Sequence, residues 1–457
     1  SIAEIAVSPG ATIGFGGGAF LVDSTGLLDG GGNLLVSSGT ANLAGAVDLL
    51  GSHTFSGGTA NLTGDYNCVS NAVVIAGGTA NFNGSGVIAP ASLMLGIFGS
   101  LGGSNQVTVN GPMTWGNDST IVGAGSVIAN GGLTIGPGGV SMTGRGLVNA
   151  GPAIWTNSGV GSILLSSGAS LSNALSGTFD CVGSGIIEGG VGAFLANSGL
   201  FRTIGPASTT TIQVPFNNAG TVELDSGTLS VSGAGFTQAS GVTYLNGGNL
   251  ANMTPLQIMG GVLKGSGLIS GSLTNAGLLH PGSPMGQITV GGAYTQTTVG
   301  SLDIVLGGTN PLTGFNCLVV SNSAQLAGTL TVSLTNGFAP AIGSQFQILS
   351  SHNSSGAFTL LNAPPGISVN YSNDGVFLVV TAPVSSSAVL QAPALSDGNF
   401  RFSLQTESNQ SYTIQQNTDL STTNWLSITN FTGDGSLLQF ETPVSTHPQN
   451  FFRVRQP

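Results

Sequence analysis

The chain has 457 residues, 76 of them glycine, with 17 acidic side chains against six Lys and Arg and a net charge of −11. Only 5% of the residues are charged and 40% are hydrophobic, which excludes a disordered polyelectrolyte, a class poor in apolar and rich in charged residues. No basic patch is present to neutralise phosphates, so nucleic acid is not an expected partner; the longest mainly apolar stretch, around Ala91 to Leu101, is broken by Gly and Ser and is too short to span a bilayer.

The first 37 residues read as short strands between glycines, at Glu4-Ile5-Ala6-Val7, Ala19-Phe20-Leu21-Val22 and Asn33-Leu34-Leu35-Val36. The segment from Ile2 to Val7 has no earlier strand to pair with. It is expected either to cap the first coil or to pair with another molecule, because an uncovered strand edge invites association.

One phrase then recurs three times: Gly39-Thr40-Ala41-Asn42-Leu43, Gly58-Thr59-Ala60-Asn61-Leu62 and Gly78-Thr79-Ala80-Asn81-Phe82, with steps of 19 and 20 residues between the threonines. A period near 20 with alternating, glycine-punctuated segments predicts a β-solenoid, whose coils bury their apolar faces only by stacking. Side chains alternate along a strand. Ala41, Leu43 and their equivalents therefore share one face, expected to be the inside, and Thr40 and Asn42 share the other; the inverse, with Asn laddered at an inner turn, is the alternative.

Beyond Gly84 the spacing loosens while the grammar persists, with strands at Gln106-Val107-Thr108-Val109, Ser119-Thr120-Ile121-Val122 and Leu133-Thr134-Ile135. A second phrase, Asn-small-Gly, appears at Asn149, Asn157, Asn197, Asn218 and Asn275. Asn and Gly both tolerate positive φ, so these are predicted corners, and stacked Asn side chains can form amide ladders. About 14 coils of ~20 residues at ~4.8 Å per coil would build a rod of roughly 70 Å over residues 1–290.

From Gly261 the text changes to Gly-Val-Leu-Lys-Gly-Ser-Gly-Leu-Ile-Ser-Gly, then Leu278-Leu279-His280-Pro281-Gly282-Ser283-Pro284, Ile288-Thr289-Val290, Cys317-Leu318-Val319-Val320 and Ala324 to Leu330. Over roughly residues 261–380 this resembles the terminal stretch of bacterial autotransporter-type β-helix passengers, with Met285 interrupting the Ser-Pro-Gly step and Phe315-Asn316-Cys317 standing where that family usually has an Asp. The resemblance implies a secreted or surface β-helix with a capping region. Fewer than 80 residues follow Pro383, so the membrane β-barrel of a self-exporting protein, which needs many amphipathic strands, is not expected.

A Pro/Ser-rich boundary at Ala382-Pro383-Val384-Ser385-Ser386-Ser387 precedes a shift in composition. Strands are predicted at Phe400–Leu404, Tyr412–Gln416, Trp425–Ile428, Leu437–Phe440 and Phe451–Val454. Asp419-Leu420, Asn424-Trp425 and the closing Phe451-Phe452-Arg453-Val454 resemble a small C-terminal β-sandwich module of secreted verrucomicrobial and planctomycete-type proteins; attachment, sorting and assembly are the roles this leaves open.

Candidate chemistry is sparse. Cys68, Cys181 and Cys317 lie more than 100 residues apart, neither a metal pattern nor a disulfide framework; they read as buried thiols, with a bridge between subunits as the functional alternative. A polysaccharide lyase would need clustered Asp for Ca²⁺ and a nearby Lys or Arg, whereas Lys264, Arg145 and Arg202 read as isolated. Glu223 and Asp225 share a strand face and form a possible carboxylate pair; Asp180 and Glu188 read as lone, solvated acids. His53, His280, His352 and His447 are scattered, with His280 read as a turn residue, and no pair stands at ligand spacing. Gly30-Gly31-Gly32 has neither the helix nor the Lys of a phosphate loop, no Gly-x-Ser-x-Gly elbow stands in a strand–turn–helix context, and Thr40, Thr59 and Thr79 form only a short outward row.

The expected architecture is all-β: a right-handed parallel β-helix (β-solenoid) over 1–290, a β-rich solenoid end or cap over 291–383, and a β-sandwich module over 384–457. The expected function is that of an extracellular structural protein, its signal peptide already removed, self-assembling through solenoid ends and the terminal module into a filament or surface layer. A monomeric surface adhesin or glycan-binding stalk is the alternative, and a polysaccharide lyase a more distant one. No catalytic, cofactor-binding or metal-binding residue is assigned. The expected partners are further copies of the chain, with glycan or cell surface second; a membrane span is not expected.

Overall fold

The three Gly-Thr-Ala-Asn phrases fold into the strands Thr40–Leu43, Thr59–Leu62 and Thr79–Phe82, which pair in parallel so that Thr stacks on Thr, Ala on Ala and Asn on Asn. Ala41, Leu43, Ala60, Leu62, Ala80 and Phe82 are all buried, and the Thr and Asn positions face outward. Burial of each Leu or Phe contributes about 1.5–3 kcal/mol, and the outward Asn residues add an amide ladder: Asn61 Nδ2 donates to Asn42 Oδ1 at 2.8 Å and Asn81 Nδ2 to Asn61 Oδ1 at 2.9 Å. The Thr row is longer than the repeat suggests, because Ser100, Thr120 and Ser141 continue it in register.

This computed structural model describes residues 4–233, 235–335, 337–384, 390–406, 410–443 and 449–456; Ser385 to Ser387 of the expected linker and His447 lie outside them. The fold is an all-β solenoid of about 14 turns with additional small β-sheets at its C-terminal end. Each typical coil lays one strand on each of three faces. The first face runs from Thr12–Phe15 through Asn33–Val36 and onward to Leu360–Asn362, always parallel. The second runs from Ala19–Val22 through the Gly-Thr-Ala-Asn strands to Gln345–Ser350. The third begins with Glu4–Ala6, Leu27–Gly30 and Ala46–Leu49 and continues, from Val107–Val109 to Asn353–Gly356, as a twelve-stranded parallel sheet. Three long strands, Pro152–Ser166, Thr178–Gly189 and Val262–Ile269, pass through the corner between the first two faces and join them into one sheet.

The Asn-small-Gly corners form for a different reason from the one their composition predicts. None of these Asn residues has positive φ; Asn149, Asn197, Asn218 and Asn275 each end a strand of the third face. Their side chains point inward, and those of Asn149, Asn197 and Asn218 stack into a ladder. Asn149 Nδ2 donates to Asn173 Oδ1, Asn173 Nδ2 to Asn197 Oδ1, and Asn197 Nδ2 to Asn218 Oδ1, each at 2.8 Å, and Asn218 Nδ2 reaches Gln238 Oε1 at 3.2 Å. Each amide also donates to carbonyls of its own corner or the next coil, such as Gly199 O and Thr221 O from Asn197. The glycine two positions on is required by close stacking: a Cβ at Gly199 would lie 2.2 Å from Gly177 O, and one at Gly220 would lie 2.3 Å from Gly199 O. Asn157 departs from the pattern, folding its own loop through bonds to Gly159 and Gly161, and there Gly159 takes the expected positive φ of 99°.

The two ends differ. The strands Thr12–Phe15 and Ala19–Val22 of the first described coil pair only with the following coil, and the inward Ile13, Phe20 and Val22 are only partly buried. At the far end Gln345–Ser350 pairs antiparallel with Gly375–Val380, which pairs antiparallel with Ile367–Ser372. This hairpin finishes the parallel template of the second face. Asn316 ties the preceding excursion down: its Nδ2 donates to Pro281 O at 2.6 Å and its Oδ1 accepts from Val305 N at 2.5 Å.

The terminal module is two three-stranded antiparallel sheets, Leu390–Ser396, Asn399–Gln405 and Leu437–Pro443 against Leu426–Thr432, Ser411–Asn417 and Phe451–Arg455. Phe400 stacks on Phe452 at 4.9 Å across them, over the buried Phe402, Leu404, Tyr412 and Ile414. Within the module Arg453 lies 4.2 Å over the Trp425 ring and donates to Gln415 Oε1, and Asp419 accepts the Ser421 backbone N–H in a local turn.

Candidate functional site: a charged row on the first face

On the first face each coil presents its central outward residue at the same register position. From the ninth coil on, that position reads Asp180, Arg202, Glu223, Tyr244, Lys264, His280 and Asp303. The row therefore gathers residues that the linear sequence presents as scattered. Of the six Lys and Arg, Arg145 is buried and Arg401, Arg453 and Arg455 belong to the terminal module, so both remaining cations stand in this single row.

The neighbours interact from coil to coil. Arg202 makes a two-pronged contact with Asp180, Nε to Oδ1 at 3.0 Å and Nη2 to Oδ2 at 2.9 Å, and its Nε lies 3.9 Å from Asp225 Oδ2. These contacts correct the reading of Arg202 as isolated and of Asp180 as a lone acid. The hydrogen bond to Asp180, reinforced by the charges of Asp180, Asp225 and Glu223, holds the guanidinium in its charged form above its ordinary range. Glu223 and Asp225 do form a pair; partial burial first, then the charge and hydrogen bond of Asp225, raise the Glu223 carboxyl. Asn246 Nδ2 bridges them, 2.9 Å from Asp225 Oδ1 and 3.4 Å from Glu223 Oε1.

Farther along, the Lys264 ammonium lies 4.9 Å from the Tyr244 ring centroid, and His280 Nδ1 lies 2.9 Å from Asp303 Oδ2. His280 is thus a strand residue with a carboxylate partner rather than a turn residue. Among the described residues no carboxylate stands within ion-pair distance of Lys264.

The cysteines, His53 and Arg145 are buried among the coils. The three cysteines are free and buried, and no bridge links any two of them. His53, in the strand His53–Phe55, is buried with Nδ1 against Tyr66 Oη and Nε2 3.0 Å from Leu49 O, and burial pushes it down to about 4. Burial also pushes the nearby Cys68 thiol up to about 11. Arg145 is buried without a carboxylate; its guanidinium donates to Gly103 O at 2.7 Å, to Asn105 O, and to Val122 O and Ser126 O of successive coils. Burial lowers it to about 10. Among the described residues no group of three or more His, Cys, Asp or Glu gathers where it could hold a metal ion, and no helix is long and apolar enough to cross a membrane.

The fold defines the class: a parallel β-solenoid repeat protein with a β-rich C-terminal end. No protein-family model matches the chain, and no curated protein matches it significantly. What the charged row offers chemically is a line of partly exposed hydrogen-bonding groups along one face, acceptors at Glu223 and Asp225 beside donors at Asn246, Tyr244 and Lys264.

Proposed function

We propose that this chain is an extracellular structural protein, a rigid solenoid that self-assembles with other copies into a filament or surface layer. The observation that carries this reading is the pair of amide ladders, whose side-chain polar groups bond coil to coil and stiffen the rod. Only 5% of the residues are charged, which leaves little repulsion between copies, and contacts that do not close build fibres. Light scattering of the purified chain over a concentration series tests the association; a monomer at every concentration refutes it.

A second reading, a glycan-binding surface stalk of the adhesin type, is favoured by the charged row, which places the solvent-facing cations of the solenoid and four acids on one face. Binding of the chain to an array of surface polysaccharides tests it, and an absence of binding across the array counts against it.

A further inference from the structure

We propose that the segment of the charged row from Arg202 to Lys264 is a binding site for a short run of sugar units in a neutral polysaccharide. The inference rests on the second reading above and names its site and ligand class.

The row is an ion ladder only in part. Asp180, Arg202 and Glu223 alternate in sign and His280 faces Asp303, but between them the alternation fails: Asp225 adds a second acid beside Glu223, and Lys264 is flanked by Tyr244 and His280 instead of an acid. Partly exposed ion pairs contribute about 1 kcal/mol at most, so the Asp180–Arg202 bridge gives little stability to set against the repulsion between the two acids. Recognition accounts for the mixture better. Carboxylates and an amide accept and donate to neighbouring hydroxyls, and an ammonium and a guanidinium supply charge-assisted donors. Glu223, Asp225 and Asn246 form the first set, with Arg202 on one side and Tyr244 and Lys264 on the other.

The shape fits an extended polymer. Arg202 to Lys264 covers three coil steps, about 14 Å at ~4.8 Å each, along the outer side of one sheet face. The charge selects a neutral one. Along the row Asp180, Glu223, Asp225 and Asp303 outnumber Arg202 and Lys264, and the whole chain carries −11, so a polyanion is repelled.

The test is affinity electrophoresis of the full chain in native gels containing a soluble β-glucan, a xylan or a galactomannan, with polygalacturonate as the anionic probe. The variants are Lys264→Gln, Asn246→Ala and the double variant Glu223→Gln/Asp225→Asn, each checked for an unchanged thermal unfolding midpoint. At least one neutral polymer is expected to retard the native chain, and polygalacturonate is not. Lys264→Gln is expected to weaken retardation about tenfold, the loss that follows from one charge-assisted hydrogen bond, the double variant, which removes two charged acceptors, to weaken it more, and the exposed Asn246→Ala to weaken it in the same direction. Retardation by a neutral polymer that is unchanged in all three variants, or preference for polygalacturonate, overturns the assigned site and ligand class while leaving a glycan-binding stalk standing. Absence of retardation by every polymer overturns both.

Discussion

Replacing Asn173 by Ala is expected to destabilise the solenoid more than replacing Asn149, although both belong to the same inner ladder. Asn173 Nδ2 donates to Asn197 Oδ1, Gly177 O and Leu200 O, and its Oδ1 accepts from Asn149. Removing the side chain orphans Asn197 Oδ1 in a buried setting, which costs about 1–3 kcal/mol, and forfeits the smaller net value of the other bonds, about 0.5–1.5 kcal/mol each. Asn149 begins the ladder. The preceding coil offers Ala129 at its register, and Asn149 Oδ1 has no partner. Asn149→Ala orphans Asn173 Oδ1 but also removes an oxygen that was already unsatisfied. The Asn173 variant is therefore expected to lose about 3–4 kcal/mol and the Asn149 variant about 1–3 kcal/mol less than that. Urea unfolding of the full chain, followed by fluorescence of the buried Trp115 and Trp155, measures both. Equal midpoints for the two variants, or a lower one for Asn149→Ala, would refute the argument.

Three further perturbations separate the forces in the fold. His53 is held at about 4 against an ordinary 6.5; above pH 6.5 both states are neutral, and as pH falls toward 4 the unfolded chain takes up a proton that the fold refuses, removing about 3 kcal/mol of stability. His53→Gln should flatten this part of the stability-versus-pH curve, and an unchanged slope would contradict it. Gly199→Ala places a Cβ 2.2 Å from Gly177 O and 2.3 Å from Ala174 O, whereas Gly190→Ala meets nothing within 4 Å; thermal unfolding should show a loss of about 1–3 kcal/mol in the first and almost none in the second. Arg145→Met leaves Gly103 O and Asn105 O without the guanidinium that serves them and should cost about 3 kcal/mol; a loss below about 1 kcal/mol would show that those carbonyls find other donors.

The solenoid is legible in residues 38–84 because three coils of nearly equal length repeat both the period of two along the strand and the period near 20 along the chain. The inner ladder was only half legible. Asn149, Asn197, Asn218 and Asn275 share a phrase, but Asn173 is followed by Ala-Leu and Gln238 by Ala-Ser, so the phrase misses two members that the stack requires. The glycines of that phrase serve close coil-to-coil approach, and this cannot be distinguished from a demand for positive φ without the neighbouring coil in place. The charged row was hidden for a related reason. Asp180 and Arg202 lie 22 residues apart and His280 and Asp303 lie 23 apart, but Lys264 and His280 only 16, because the corner after Val262–Ile269 is short. A fixed period loses the row at that step, and only the strand register recovers it. The extra strand Leu390–Ser396 was missed since Pro393 interrupts its alternation, and it sits at a sheet edge where a proline is tolerated.

The assembly claim is tested most directly by negative-stain electron microscopy of the purified chain over a rising concentration series. The expected result is rods that join into filaments or layers as the concentration rises. Single, unjoined rods at every concentration would contradict the account.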